Sequence, residues 1–300
     1  MIFGPTGPPA PVSPRGKKMT TRLTTTGLLQ VSGLALALGT GAPAPALAIN
    51  GQVSAEYAVS FLGLPIGTGT MVSSTDGTTY RTTLNARVTG VAAMFAGGSG
   101  TATATGRIAG AAAIPASFNI EVHSGGKVET TRIAMAEGNV RSVVRNPDKP
   151  PHTRATPVTA EHLRGVVDPL SAGIFIAGGT GPVTGAAACE RRSRIYNGVV
   201  RFDLIYAFVG TRQVEIAGYK GDAAICSVRF EPVAGYRTDR SDIQAARRRS
   251  AEITLVPIQG SRTLIPARIS LTTGYGTGVA QATKLDLNPG LPVARRASAD

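Results

Sequence analysis

The chain has 300 residues, a formal net charge of +13, 42% hydrophobic residues and only 5% aromatic residues. This length accommodates one large domain or two smaller ones. The low aromatic content and the lack of any recognisable nucleic-acid motif argue against nucleic acid as a partner. The positive charge fits instead an anionic partner in the cell envelope, such as a lipid or a polysaccharide, or it simply keeps the protein in solution.

The N-terminal segment has the pattern of a secretory signal. Four basic residues precede or flank a short apolar run at 27–39, and the segment ends in the small-x-small pattern of Ala46 to Ala48. The apolar run is too short to cross a bilayer comfortably, which favours a cleaved signal peptide over a membrane anchor. Translation starts at either Met1 or Met19. We therefore predict that residues 1–48 are a signal peptide with an N-terminal extension, and that the mature chain is periplasmic. Its charge is then +9, because the segment carries four of the basic residues.

The chain contains two cysteines, Cys189 and Cys226. In an oxidising compartment such a pair is expected to form a disulfide, and the alternative is two buried free thiols. A disulfide over this span would stabilise the fold by roughly 3–4 kcal/mol. Because no cysteine precedes Cys189, a lipid-modified N-terminal cysteine is excluded.

The first half of the mature chain reads as about seven β-strands between residues 52 and 145. Apolar and polar residues alternate, Gly and Asp-Gly turns separate the runs, and the βαβ alternation of a parallel sheet is missing. Residues 90–100 form a Gly/Ala-rich connection, predicted as a short helical turn or a barrel lip. Thr101 to Ile108 alternates Thr with Ala, and such small side chains indicate either close packing over a helix or a thinly filled cavity.

The stretch from Thr159 to Gly178 has the one convincing helical pattern, with Thr159 as a possible cap. Pro169 interrupts it, so we predict two short helices or one kinked helix that plugs the concave face of a sheet. Asp168 before Pro169 is predicted as a helix cap rather than a catalytic group. The apolar positions follow the spacing of one buried helix face, and they are Leu163, Val166, Val167, Leu170, Ile174 and Phe175.

Asn197-Gly198 predicts a type I′ hairpin between strands at 191–196 and 199–208. Further strands and a helical turn near residues 243–249 are expected downstream. Arg247 to Arg249 is either a contact for an anion or lipid headgroup or a solvated loop. Residues 289–300 form a Pro/Ala/Arg-rich tail that is expected to be disordered.

The sequence contains few signs of metal-binding, cofactor-binding or catalytic chemistry. The histidines His123, His152 and His162 have no metal-ligand spacing, so we predict no metal site, no cofactor and no catalytic residues. Phosphate-binding and nucleophile-elbow motifs are also missing. A hydrolase would need one histidine within hydrogen-bond reach of a serine and a carboxylate. That reading is the least favoured.

Several motifs resemble the domain of unknown function 3108 family, a group of uncharacterised bacterial envelope proteins. The resemblance covers about residues 52–287, and it implies a periplasmic, mainly antiparallel β protein with no assigned catalytic residues. The segments that carry it are Val167 to Ala172, Cys189, Tyr196 to Gly198, Arg201 to Leu204, Cys226 to Arg237, Val256 to Ile258, Ile265 to Ile269 and Gly276 to Thr283.

The sequence therefore predicts an all-β fold: a curved antiparallel sheet or incomplete β-barrel wrapped on a short kinked helical segment. Two lobes are expected, at 49–158 and 159–288. The predicted function is a non-catalytic binding or envelope-maintenance role, with a lipid or other apolar ligand, and the alternative is a structural or interaction module of the envelope. Nothing indicates the oligomeric state. Candidate pocket or core residues are Leu163, Val167, Asp168, Leu170, Ile174, Phe175, Phe202 and Arg229.

Overall fold

The structure is a computed structural model, and it describes residues 50–95 and 97–287. The predicted signal peptide and the predicted tail lie outside these residues. Two short α-helices occur in the described part of the chain, α1 (Gly90–Phe95) and α2 (Ser241–Arg247). The strands are β1 (Asn50–Phe61), β2 (Leu64–Asp76), β3 (Thr79–Val88), β4 (Gly98–Ala109), β5 (Ala112–Ser124), β6 (Lys127–Ala136), β7 (Asn139–Asn146), β8 (Phe175–Ile176), β9 (Arg192–Tyr196), β10 (Arg201–Ile216), β11 (Tyr219–Ala234), β12 (Ser250–Pro257), β13 (Thr263–Thr273) and β14 (Gly276–Asp286).

All of these strands belong to one antiparallel sheet. Its order is β7-β6-β5-β4-β3-β2-β1-β14-β13-β12-β11-β10-β9, and the two-residue β8 pairs with β13. The first and last long strands, β1 and β14, pair in the middle of the sheet. Within the described residues the edge strands β7 and β9 do not pair, so the sheet is not closed into a barrel. The predicted all-β antiparallel class is confirmed.

The central stretch contains two short helical segments, which matches one of the two predicted alternatives, but both are 3₁₀ turns rather than α-helices. Only two short 3₁₀ turns form there, Ala160–Leu163 and Ser171–Gly173, and extended chain lies between them. Gly165 has a left-handed φ of +59° that ends the helical path. After Gly165, the backbone groups of the β-branched Val166 and Val167 form hydrogen bonds to the β6–β7 turn and to β9. In a helix, the same backbone groups would bond within the helix itself.

This stretch joins the two free edges of the sheet. The Val166 N–H donates to the Gly138 carbonyl in the β6–β7 turn, at 2.7 Å. The next residue, Val167, donates to the Arg194 carbonyl at 2.8 Å and accepts from the Tyr196 N–H at 3.0 Å, both on β9. The short segment therefore spans the gap that the strands leave open. We name residues 165–178 the closing segment.

The predicted type I′ hairpin is also wrong, although the two strands do pair as a hairpin. Residues 197–200 form the connection, and Gly198 has a φ of +94° whereas Asn197 is not left-handed. The Asn197 side chain instead accepts hydrogen bonds from the N–H groups of Val199 and Val200, at 3.0 and 2.9 Å. Asn197 therefore stabilises the turn as an Asx-type acceptor rather than through its own φ.

Three apolar clusters form the core. The first surrounds the two cysteines and includes Phe175 and Tyr206. The second packs β1 and β14 against β12 and β13. The third lies under β3 to β6 and includes Tyr80, Val166 and Tyr196. Because the third cluster holds Val166 together with strands from both edges, packing as well as hydrogen bonding keeps the sheet curled.

The two sulfur atoms lie at disulfide distance, as the sequence predicts. Cys189 Sγ and Cys226 Sγ are 1.99 Å apart, and both residues are fully buried. The disulfide links the loop before β9 to β11 across the first apolar cluster. Such a bond indicates an oxidising compartment.

The sheet runs without interruption from the first half of the chain into the second. A division into two lobes near residue 159 stays a prediction. No helix of residues 50–95 and 97–287 is long and apolar enough to cross a membrane.

Candidate functional site

A cleft of about 500 Å³ opens at one end of the sheet, where β3 to β6 begin or end. Four short stretches line it, residues 79–81, 105–107, 114–116 and 135–137. Its volume lies within the range of small-molecule sites, about 300–1,000 Å³. Neighbouring strands therefore supply the walls of one ligand-sized depression at the sheet rim.

The cleft depends on a missing side chain in β4. A Cβ atom on Gly106 would lie 2.3 Å from the Ile114 carbonyl oxygen and 2.6 Å from the Tyr80 hydroxyl. The pairing of β4 with β5 shifts register between Thr105 and Gly106, which marks a β-bulge. Bulges of this kind bend a strand and redirect its side chains. Gly106 thus lets the Tyr80 hydroxyl and the β5 backbone approach each other beneath the cleft.

The inner wall of the cleft is apolar and buried. Tyr80, Pro115 and Met135 are all buried, and Ile114 and Ala116 add further apolar surface. The outer rim carries charge. Arg107 Nη2 donates to Glu137 Oε2 at 2.6 Å, and both side chains are well exposed. The cleft therefore combines an apolar wall with a charged rim.

Arg81 is the other guanidinium at this rim, and it is exposed. Among the described residues, no carboxylate oxygen lies within 4.0 Å of its nitrogen atoms. The nearby Asp76 is engaged in its own turn, where it accepts four hydrogen bonds from Thr78 and Thr79. These bonds hold the pKa of Asp76 well below its usual range. Arg81 therefore leaves one cationic group at the rim for an incoming anion.

Beneath the wall, three polar side chains form a buried chain of hydrogen bonds. The Ser171 hydroxyl donates to Asp168 Oδ2 at 2.5 Å, and Tyr80 Oη lies 2.6 Å from Ser171 Oγ. Because Ser171 has a single hydroxyl proton and gives it to Asp168, Tyr80 is the donor in the second bond. The chain ties the cleft wall to the closing segment.

Asp168 is fully buried, and its other oxygen is also occupied. Oδ1 accepts from the N–H groups of Leu170 and Ser171, both at 2.9 Å. Burial raises the pKa of the Asp168 carboxyl, while the hydrogen bonds from Ser171 and Leu170 oppose that rise. Burial likewise raises the pKa of the Tyr80 hydroxyl. The carboxylate thus holds the backbone that leads into the 3₁₀ turn Ser171–Gly173, whose N-cap position is Leu170.

Several predicted core residues in and just before the closing segment lie close to the hydrogen bonds that join Tyr80, Ser171 and Asp168. Leu163, Leu170 and Ile174 are half-buried and pack against the apolar cluster that contains Tyr80. Val167 is half-buried and forms a backbone bridge with Ile195. These side chains support the cleft from behind, and none of them lines it.

Two further predicted residues, Phe175 and Phe202, lie away from the cleft. Phe175 is buried against Tyr206, with ring centroids 5.3 Å apart, and the Arg191 guanidinium lies 4.4 Å from its ring centroid. Phe202 is half-buried and packs on Phe230 at 5.6 Å. The structure does not bring these residues together into one pocket.

Arg229 is exposed and pairs with Glu231 at 3.2 Å. Together with the disulfide residues, it lies on β11 or the loop before β9 rather than at the cleft. Its place on an exposed face fits a surface ion pair of small energetic weight.

None of the residues that line the cleft was among the predicted site residues. The lining residues are Thr79, Tyr80, Arg81, Thr105, Gly106, Arg107, Ile114, Pro115, Ala116, Met135, Ala136 and Glu137. One signal did point to this region. The small side chains of 101–108 indicate either close packing over a helix or a thinly filled cavity, and they belong to β4, which contributes Gly106 to the cleft. The sequence does not show which residues form the walls of the cleft, because these residues come from four strands whose relative positions depend on the register of the sheet.

In the part of the chain that the structure describes, no histidine is hydrogen-bonded to a serine. His123 Nε2 lies 2.7 Å from Glu121 Oε1, and Ser99 is its cross-strand neighbour, but no hydrogen bond joins His123 to Ser99. His152 and His162 contact backbone or Thr159 in surface turns. Among residues 50–95 and 97–287, no group of three His, Cys, Asp or Glu side chains is placed to hold a metal ion.

The fold and the cleft together define a class of antiparallel β protein. Its closing segment joins the two edges of the curled sheet, and a ligand-sized cleft lies at the rim of that sheet. The chain belongs to the DUF3108 family, described as "Protein of unknown function (DUF3108)", which it matches over residues 56–283. The resemblance noted from its motifs is therefore confirmed.

Among solved structures, the chain is similar to the β-barrel-like protein of domain of unknown function DUF1849 from Brucella abortus. The sequence identity is 10% and the TM-score is 0.44, and the alignment covers 79% of this chain and 98% of that one. No curated protein matches the chain.

Proposed function

We propose that this protein is a non-catalytic binding protein of the bacterial periplasm, which holds a small amphipathic ligand in the cleft between β3 and β6. The observation that carries the proposal is the cleft itself, about 500 Å³ in volume, with an apolar wall and a cationic rim. Buried support from Tyr80, Ser171 and Asp168 keeps this wall in place without exposing a reactive group. A preformed apolar depression with a few placed polar groups is the usual form of a binding site.

The chemistry of the cleft selects the ligand class. An alkyl or other apolar portion would pack against Pro115, Met135 and the ring of Tyr80, because this transfer removes apolar surface from water. One anionic group, such as a carboxylate or phosphate, would pair with Arg81 at the rim. Arg107 is less available, because Glu137 already pairs with it. A single-headed anionic amphiphile, such as a fatty acid or a lipid fragment, satisfies both parts.

The periplasmic location rests on two supports. The sequence pattern of residues 1–48 predicts an exported chain, and the Cys189–Cys226 disulfide fits an oxidising compartment. A periplasmic protein encounters membrane-derived amphiphiles, which is consistent with the ligand class above.

Native mass spectrometry of protein purified from the periplasm tests this function. We expect the wild-type protein to carry a bound amphiphile, and Ala116→Trp to lose it because the indole would fill the cleft. Ala86→Trp is the matched control, since Ala86 is also exposed on a strand of the same sheet and does not line the cleft. Equal ligand occupancy in Ala116→Trp and Ala86→Trp would contradict the proposal, as would a wild-type protein that binds no added fatty acid.

A further inference from the structure

Two hairpin tips meet at the end of the sheet opposite the cleft. The β1–β2 turn carries Leu62, and its N–H donates to the Thr277 carbonyl of the β13–β14 hairpin at 3.0 Å. The Leu62 side chain lies directly over Gly276, where a Cβ atom would be only 2.2 Å from Leu62 Cδ2. The two turns therefore form one continuous projection. We name Leu62, Leu64 and Tyr275 the apolar tip.

The apolar tip is strongly exposed. Leu62 is 63% exposed, Leu64 is 58% exposed and Tyr275 is 85% exposed. Leu62 also has a φ of +53°, a left-handed conformation that leucine rarely adopts. A polar residue such as asparagine would suit this turn better and would not place an alkyl group in water. The fold therefore holds apolar side chains outward at a position where its own stability does not need them.

Basic side chains border the apolar tip. A Cβ atom on Gly274, next to Tyr275, would lie 3.3 Å from Arg249 Nη2. Arg248 is exposed beside it, at the end of α2. Within the described residues, no carboxylate oxygen lies within 4.0 Å of either guanidinium, whereas the neighbouring Arg247 pairs with Glu231 at 2.8 Å. The apolar tip thus has an adjoining cationic border with no carboxylate partner in residues 50–95 and 97–287.

We propose that the apolar tip docks on the surface of a bilayer that contains anionic lipid, with Arg248 and Arg249 against the headgroups. The leucines and the tyrosine would enter the boundary between headgroups and acyl chains, where amphipathic aromatic rings and alkyl groups are both favoured. The charge of the border complements an anionic membrane surface. Narrow projecting turns with a basic border suit this surface better than a flat protein interface, whose core is depleted of charge.

This surface is distinct from the cleft. Leu64 starts β2, whereas the cleft residues Thr79 and Tyr80 start β3 on the other side of the β2–β3 turn. Docking of the apolar tip on a bilayer therefore does not depend on ligand binding in the cleft. Ala116→Trp is expected to leave bilayer binding unchanged even though it fills the cleft.

Flotation of the full mature protein with phospholipid vesicles tests the docking surface. We expect binding to vesicles of phosphatidylcholine mixed with phosphatidylglycerol, and much weaker binding to phosphatidylcholine alone. Leu64→Ser and Tyr275→Ser should each reduce partitioning about tenfold, because each removes an apolar side chain from the bilayer boundary. Arg248→Gln should reduce it about fivefold on the mixed vesicles only.

The control is Val209→Ser, because Val209 is equally exposed, at 62%, but lies on β10 away from the tip. Circular dichroism melting of each variant establishes that it is folded. Leu62→Asn is a further tip variant, and it is chosen because asparagine suits the left-handed turn. Wild-type protein that does not float with mixed vesicles would overturn the proposal. So would tip variants that float as well as Val209→Ser, or a tip-dependent dimer in light scattering without vesicle binding.

Discussion

The hydroxyl oxygen of Tyr80 lies 2.6 Å from Ser171 Oγ, although the two residues are 91 positions apart in the chain. Tyr80 belongs to β3 and lines the cleft, whereas Ser171 belongs to the closing segment. The bond is buried at both ends. This hydrogen bond connects the wall of the proposed binding site to the closing segment. The stability of the wall therefore depends on the position of the closing segment.

A double-mutant cycle on this pair should show strong coupling. Tyr80→Phe removes one buried hydrogen bond and should lower the free energy of unfolding by about 1 kcal/mol. Ser171→Ala should cost about 3 kcal/mol, since it leaves the Tyr80 hydroxyl and one Asp168 oxygen without partners. The double variant should be no less stable than Ser171→Ala alone. Urea denaturation measures all three, and strictly additive losses would contradict the coupling.

The raised pKa of Asp168 predicts a specific dependence of stability on pH. Because the folded state binds the carboxyl proton more tightly than the unfolded state, this group favours folding most at pH values below its ordinary pKa of 3.8. Its contribution then falls as the pH rises towards the folded-state pKa. Relative to wild type, Asp168→Asn should therefore gain stability as the pH increases from 3.8 towards the raised pKa of Asp168.

Urea denaturation across that pH range, performed in parallel on wild type and Asp168→Asn, isolates this effect. Other carboxylates, including Asp76, titrate in both proteins and cancel in the difference. A difference between the two unfolding free energies that stays constant with pH would show that Asp168 does not titrate as burial requires.

Removal of the disulfide should destabilise the second half of the sheet. Cys189 and Cys226 are separated by 37 positions, and a loop of this length corresponds to roughly 4 kcal/mol of stabilisation. The Cys189→Ala/Cys226→Ala variant should lose an amount of this order in denaturant unfolding. An unfolding free energy within about 1 kcal/mol of wild type would mean that the bond adds little constraint.

Gly106→Ala should damage the cleft and the fold together. Its Cβ atom would lie 2.3 Å from backbone at Ile114, which cannot move away without breaking the β4–β5 pairing. We expect a loss of about 2–3 kcal/mol in unfolding free energy. Gly210→Ala is the control, because Gly210 is also in a strand but has no atom within 4 Å of the added group. Equal effects at the two glycines would refute the steric argument.

The antiparallel β class was predictable because alternating side chains and glycine turns are local signals. The disulfide pairing followed from having two cysteines in a chain predicted to be exported. The closing segment was only partly predictable. Its apolar positions are buried or half-buried as expected, but their helical spacing also suits extended chain that contacts the sheet on two sides, and Gly165 and Pro169 decide between these conformations.

The cleft was not predictable from any single stretch. Its wall brings Tyr80, Gly106, Pro115 and Met135 together from four strands, and their proximity depends on the bulge between Thr105 and Gly106. Register and bulges are set by packing over the whole sheet. The sequence showed only that β4 is lined with small side chains, which is a necessary condition for the cleft.

Binding of an anionic amphiphile in the rim cleft can be followed residue by residue in an NMR titration of delipidated protein with decanoate. We expect the largest saturating amide shifts at residues 79–81, 105–107, 114–116 and 135–137, with weakened binding in Arg81→Gln. Shifts confined to the apolar tip, or no saturating shifts in any of these four stretches, would show that the cleft does not bind this ligand.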